Sequence, residues 1–168
     1  MQPLPRRAAA VVAALIGLTA AGATAFAAPQ SSPVPRTALV TNARWAGHCT
    51  YDRLVIDVRG AVPRVTVAPV GQLRYDASGK RVPLPGHHFL SLRLSPAAAH
   101  DAAGRNAYRG PRLATVRLPQ LRGVALTGDF EGVVSFGAAF HSSPHYRAYT
   151  LHSPDRVVLD VRHGDVCR

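Results

Sequence analysis

No stretch of helical length in this sequence carries an apolar stripe of 3.6-residue period, which argues against a helical bundle. There is no glycine-rich phosphate loop, no G-x-S-x-G elbow and no HExxH pair. The signatures of nucleotide binding, serine hydrolysis and zinc proteolysis are therefore missing. Lys80 is the sole lysine and Glu131 the sole glutamate. Cysteine is scarce, with Cys49 and Cys167 alone. Acids number 9 against 20 basic residues, a formal charge of +11 over 168 residues. Such an excess favours a polyanion as partner: nucleic acid, membrane surface or polymer.

Part of that charge belongs to a leader. Met1–Arg7 holds two positive charges and no acid. Residues 8–27 are uncharged, rich in alanine, and end in Ala25-Phe26-Ala27. These are the n-region, h-region and cleavage site of a secretory signal, expected in the membrane only during export. A retained anchor is the alternative, because an apolar run of this length can span a bilayer. Arg6-Arg7 is followed by plain alanines, which argues against twin-arginine export. Residues 28–37 read as a leader rich in Pro and Ser, and residues 38–168 as one domain. Cleavage after Ala27 leaves 141 of the 168 residues and, with Arg6 and Arg7 gone, a charge of +9.

The domain reads as short strands between turns. Leu90, Leu92 and Leu94 alternate with polar neighbours, as in a half-buried strand. Asp52–Arg59, Arg64–Val70, Leu113–Leu118, Val124–Leu126, Val133–Phe140, Tyr146–Leu151 and Val157–Val161 are further strands. Asp76–Lys80 is a turn signal. Ser95–His100 invites one helical turn, with Ser95 as cap and Pro96 at the first position. About nine or ten short strands imply an all-β sandwich or barrel.

One segment echoes another. DRLVIDVR at Asp52–Arg59 matches DRVVLDVR at Asp155–Arg162. In each copy alternate apolar residues face a core, and Asp57 and Asp160 point outward, each able to pair with the arginine two residues on. The echo suits two related halves of one sandwich. Cys49 precedes the first copy and Cys167 follows the second. If the two strands run antiparallel and close together, a disulfide fastens them at one end. Two buried free thiols are the alternative, disfavoured in an exported chain.

Several stretches together resemble a known family. They are TNARWAGHCTYDRLVIDVRG from Thr41, HDAAGRNAYRGP from His100, LTGDFEGVVSFG from Leu126 and SPDRVVLDVRH from Ser153. The chain from about Val40 onward resembles the AMIN-like domain of exported actinobacterial proteins, a relative of the AMIN domain of cell-wall amidases. The resemblance implies a small non-catalytic β-sandwich of two similar antiparallel sheets that associates with peptidoglycan or the envelope.

Candidate site residues lie in two places. His100, Asp101, Tyr108 and Arg109 flank a polar loop. There Tyr108 could stack on a sugar and Arg109 grip a carboxylate or phosphate, unless Asp101 simply braces the loop. Asp129 and Glu131 stand two apart on an extended segment, about 6.5–7 Å, near the carboxylate spacing of glycoside hydrolases. That spacing is common to every strand, and an acidic turn is the plainer reading. His141 and His145 have a zinc-like interval, and His87 and His88 are adjacent. Without a third or fourth convergent ligand they read as loop histidines. No metal or cofactor is expected.

The expected function is a secreted, non-catalytic module that binds peptidoglycan or an anionic wall polymer. A carboxylate hydrolase using Asp129 and Glu131, and a protein-partner or inhibitor role through an exposed sheet edge, are the alternatives. Nucleic acid is disfavoured, because no aromatic–basic interleaving is evident in the sequence and the signal exports the chain. The sequence sets no oligomeric state.

Overall fold

The computed structural model describes residues 36–167. The signal segment, and the leader as far as residue 35, lie outside the described residues. The described chain forms ten strands and no helix. They are β1 (Ala38–Gly47), β2 (Tyr51–Arg59), β3 (Arg64–Val70), β4 (His88–Ser95), β5 (Ala97–Ala98), β6 (Leu113–Thr115), β7 (Leu121–Phe130), β8 (Val133–Phe140), β9 (Tyr146–Leu151) and β10 (Arg156–Arg162). One sheet has the order β5-β1-β2-β10-β9 and the other β3-β4-β8-β7-β6. The expected all-β sandwich is present. Its one departure from antiparallel pairing is β1 with β5, at Ala38–Ala97 and Leu39–Ala98.

Period-2 alternation decides what is buried. Leu54, Ile56 and Val58 of β2 face inward with Val157, Leu159 and Val161 of β10. They meet Leu90, Leu92 and Leu94 of β4 and Val134, Phe136 and Phe140 of β8. Each such side chain contributes about 1.5–3 kcal/mol when fully buried. Trp45 of β1 packs against the same core.

The second sheet is covered on its other face too. Leu73, Val82 and Leu84, from the segment between β3 and β4, pack on Ala125 and Ala139. A glycine makes room for this cover: a Cβ on Gly137 would stand 2.8 Å from the Leu73 side chain. The expected turn at Asp76–Lys80 ties the segment together, with the Tyr75 amide donating to the Lys80 carbonyl at 3.0 Å.

The echoing strands β2 and β10 are antiparallel neighbours. Their register sets Val55 opposite Val158, the matching position of the other copy. The echo therefore has a local two-fold centred on this pair. It relates the β1–β2 hairpin to the β9–β10 hairpin within one sheet, not one sheet to the other. Asp57 and Asp160 point outward, but neither pairs with the arginine two residues on. Arg44 of β1 donates twice to Asp57 at 3.0 Å. Arg53 of β2 donates twice to Asp160, at 2.7 and 2.8 Å. Arg53 lies directly opposite Asp160, about 4.5–5.5 Å away at the start of the side chains, whereas Arg44 is the diagonal neighbour of Asp57 and reaches it along its long side chain.

Two further expectations need correction. The helical turn at Ser95–His100 does not form. The Ser95–Pro96 bond is cis, and Ala97–Ala98 becomes β5. The Ala97 amide donates to the Gly132 carbonyl at 2.8 Å, and the Pro96 carbonyl accepts from the Ala38 amide at 3.0 Å. These groups serve β1 and the β7–β8 turn instead of a helix. The stretch Ala38–Gly47, not expected as a strand, forms β1. A register shift between Val40 and Asn42 breaks its alternation and hides the pattern.

Antiparallel β2 and β10 bring the cysteines together as expected. Cys49 and Cys167 are bonded, with Cα atoms 5.1 Å apart at a sequence separation of 118. At the same end Asp52, 1% exposed, joins the two sheets. It accepts the Gln120 and Leu121 amides at 2.7 and 2.8 Å, and His163 Nε2 faces its other oxygen at 3.2 Å.

Two stability predictions follow from this end of the sandwich. Cys167→Ser lowers unfolding free energy by about 2–5 kcal/mol, read as a lower urea midpoint, and added reductant leaves that variant unchanged. Asp52→Ala orphans buried amides and costs about 3 kcal/mol by the same assay.

Candidate functional site

At the disulfide end, the first sheet borders a groove of about 1370 Å³ that Gln120, Ser142 and Ser143, beside the second sheet, also line. Tyr51 and Arg53 enter it from β2, Tyr146 and Arg147 from β9, Asp160 and Arg162 from β10. Strand register explains why they meet. Tyr51 faces Arg162 and Arg53 faces Asp160 across the β2–β10 pair. Arg147 faces Asp160 across the next pair.

The side chains hold one another in place. The Arg53 guanidinium lies 5.0 Å from the Tyr51 ring centre, and Arg147 lies 5.2 Å from that of Tyr149. The His48 ring stacks on Tyr51 at 4.3 Å. Cation–π contacts at exposed sites are worth about 0.5–1 kcal/mol each, enough to bias rotamers.

Asp160 accepts the Tyr149 hydroxyl at 2.9 Å besides the two bonds from Arg53. Burial pushes its carboxyl up, but the bonds from Arg53 and Tyr149 outweigh burial and hold it below the ordinary carboxylate value. Asp160 thus stays anionic and is matched to Arg53. Arg147 and Arg162 have no carboxylate partner among the described residues. Tyr51 is already covered by His48 and Arg53, so the exposed Tyr146 is the ring that suits a sugar, and guanidinium groups without a carboxylate partner suit carboxylates or phosphates.

A second groove, of about 570 Å³, lies at the opposite end of β2. Arg59, Asp101, Arg105 and Arg109 line it with Leu39 and Thr41 of β1. Arg105 is paired with Asp101 at 2.8 Å. Arg59 and Arg109 have no carboxylate partner among the described residues.

The residues picked from the sequence divide unevenly around these grooves. Arg109 lines the second groove, its amide donating to the Thr41 carbonyl at 2.8 Å. Asp101 lines it too, but braces the loop. It accepts the Ala103 and Arg105 amides at 2.9 Å, and the Arg105 amide above all holds its carboxyl below the ordinary value.

Tyr108 is no stacking platform. It is 2% exposed, with its ring 5.8 Å from Phe136, edge to face, and its hydroxyl donating to the Pro111 carbonyl at 3.0 Å. Burial pushes its phenol up to about 12. Its polar reach is met inside the protein, so it serves the core and not a ligand.

Asp129 and Glu131 line neither groove. Asp129 accepts the Ala99 amide at 3.0 Å and faces His100 Nδ1 at 2.7 Å. Glu131 stands exposed in the β7–β8 turn, with a left-handed φ of 48°. His100 and Asp129 therefore form a surface pair away from both grooves.

The histidines do not converge on a metal site. His87 and His141 approach edge to face at 6.5 Å, and His145 lines the larger groove. The convergent donor set found among the described residues is Cys49, Asp165 and Cys167, and its sulfurs are bonded to each other.

The larger groove was missed in the sequence because its residues are far apart in the chain. The available signals were the Tyr-Arg-Ala-Tyr run at Tyr146–Tyr149 and the echo itself, which sets Arg53 against Asp160 once the strands pair.

Fold and surface define a small disulfide-closed β-sandwich with arginine-lined grooves at the two ends of one sheet. Comparison with protein families matches residues 38–163 to the AMIN-like domain, and the chain belongs to that family. The family is associated with extracytoplasmic, cell-wall-related binding modules. No curated protein and no solved structure gives a significant match.

The His100–Asp129 pair makes a pH prediction. Hydrogen bonding to Asp129, then its charge, raises the His100 imidazole above its ordinary 6.5. The contact's stabilising effect is complete below the unfolded-state value and is lost as pH rises through the folded value. An NMR titration of the His100 ring should show the raised midpoint, and Asp129→Asn should return it to the ordinary range.

Proposed function

We propose that the protein is a secreted, non-catalytic module that associates with the cell envelope through peptidoglycan or an anionic wall polymer. The observation that carries this reading is the groove of Tyr51, Arg53, Tyr146, Arg147 and Arg162 at the disulfide end of the first sheet. Unmatched guanidinium groups beside tyrosine rings favour a ligand that is both saccharide-like and negatively charged. Asp160 is engaged by Arg53 and Tyr149, so the groove offers cations and rings in place of an acid–base pair. The signal at residues 1–27 and the disulfide support work outside the cytoplasm. Family membership supports the wall as the setting.

Sedimentation with purified cell wall tests the reading. The oxidised protein is expected in the pellet at low salt and progressively less so as salt rises, because exposed ion pairs are screened within about 10 Å at 0.1 M. Arg147→Ala with Arg162→Ala should abolish retention without lowering the melting temperature. No retention of the parent protein at any salt would contradict the proposal.

A further inference from the structure

We infer that the two grooves act together as one track for a linear polyanion long enough to reach from one to the other. This deepens the proposed function and rests on its reading of the larger groove as an anion site.

The geometry comes from β2. Alternate residues Tyr51, Arg53, Val55, Asp57 and Arg59 share the outer face of the first sheet, because Leu54, Ile56 and Val58 face the core. Arg53 belongs to the larger groove and Arg59 to the smaller. A strand rises about 3.3 Å per residue, so these two positions lie about 20 Å apart on the same face.

The ground between them is also basic. Arg44 is 51% exposed and takes Asp57 as its partner. Arg156, opposite Asp57 in the β2–β10 register, donates to the Pro154 carbonyl and has no carboxylate partner among the described residues. Val55 and Val158, at the centre of the face, are almost fully buried between these charged rows. Asp57 and Asp160 are each bound by an arginine on two oxygens. No unpaired acid among the described residues of this face therefore interrupts the path. Guanidinium groups with no carboxylate partner among the described residues mark both ends: Arg147 and Arg162 at one, Arg59 and Arg109 at the other.

A short anion can occupy one groove. A chain that spans about 20 Å can occupy both, and its second contact is intramolecular. The ligand class this selects is a repeating anionic polymer, such as a polyol phosphate or acidic glycan, over any single charged sugar. Exposed arginines on a flat sheet give charge matching without base readout, so a wall-type polymer fits better than a nucleic acid.

The test uses the oxidised protein with inorganic triphosphate, and with polyphosphate whose extended length exceeds the span. The long chain should bind at least about tenfold tighter at equal salt. Arg59→Ala with Arg109→Ala should leave triphosphate affinity within about twofold and remove the length gain. Arg147→Ala with Arg162→Ala should weaken both ligands. Triphosphate binding with no length gain, or a gain that survives Arg59→Ala with Arg109→Ala, overturns the track while leaving the larger groove intact. Binding of neither phosphate overturns the anionic reading of the larger groove as well. A single-stranded oligothymidylate of equal length that binds tighter than polyphosphate overturns the polymer assignment in favour of nucleic acid.

Discussion

The antiparallel pairing of β2 with β10 is the constraint on which the rest depends. It joins the second strand to the last one, with Val55 opposite Val158. From that register follow the meeting of Cys49 with Cys167, the Arg53–Asp160 pair and the row Tyr51–Arg162. A slip of one residue would turn Leu54, Ile56 and Val58 outward and the charged set inward. Burial of those apolar chains, at about 1.5–3 kcal/mol each, outweighs any single surface ion pair, at about 0–1 kcal/mol. The core therefore sets the register, and the charged face is its consequence.

The charge balance acquires a physical meaning in the fold. Asp52, Asp57, Asp101, Asp129, Asp155, Asp160 and Asp165 each accept a hydrogen bond within the protein. The few acids are thus largely engaged at home, as clamps and cross-strand partners. Arginine is in excess, and exposed arginines stand on both sheets: Arg59, Arg147 and Arg162 on the first, Arg64 and Arg93 on the second. The second sheet has its outer face covered by Leu73, Val82 and Leu84. The proposed binding surface is the sheet without that cover.

Much of the fold was legible from local pattern. Arg64–Val70, Val133–Phe140 and Tyr146–Leu151 have the bounds that alternation and turn residues imply. The disulfide followed from the placement of the cysteines around the echo. What local pattern could not carry was anything decided across strands. The bulge at Val40–Asn42 concealed β1, and the contacts of Pro96 and Ala97 with β1 and the β7–β8 turn displaced a helical turn. Tyr108, polar at its tip, looked like a loop ligand until its hydroxyl met the Pro111 carbonyl over the core. Arg109, chosen from the same loop, does line a groove. The larger groove draws on residues from Thr50 to His163, and only sheet register makes them neighbours.

The central claim is that ligand contact is confined to the outer face of the β1-β2-β10-β9 sheet. Amide chemical-shift mapping with solubilised cell-wall fragments tests it most directly. The account predicts shifts that cluster at Tyr51, Arg53, Arg147 and Arg162 and extend toward Arg59. Shifts centred on the β7–β8 turn around Asp129 and Glu131, with the outer face of that sheet silent, would contradict it.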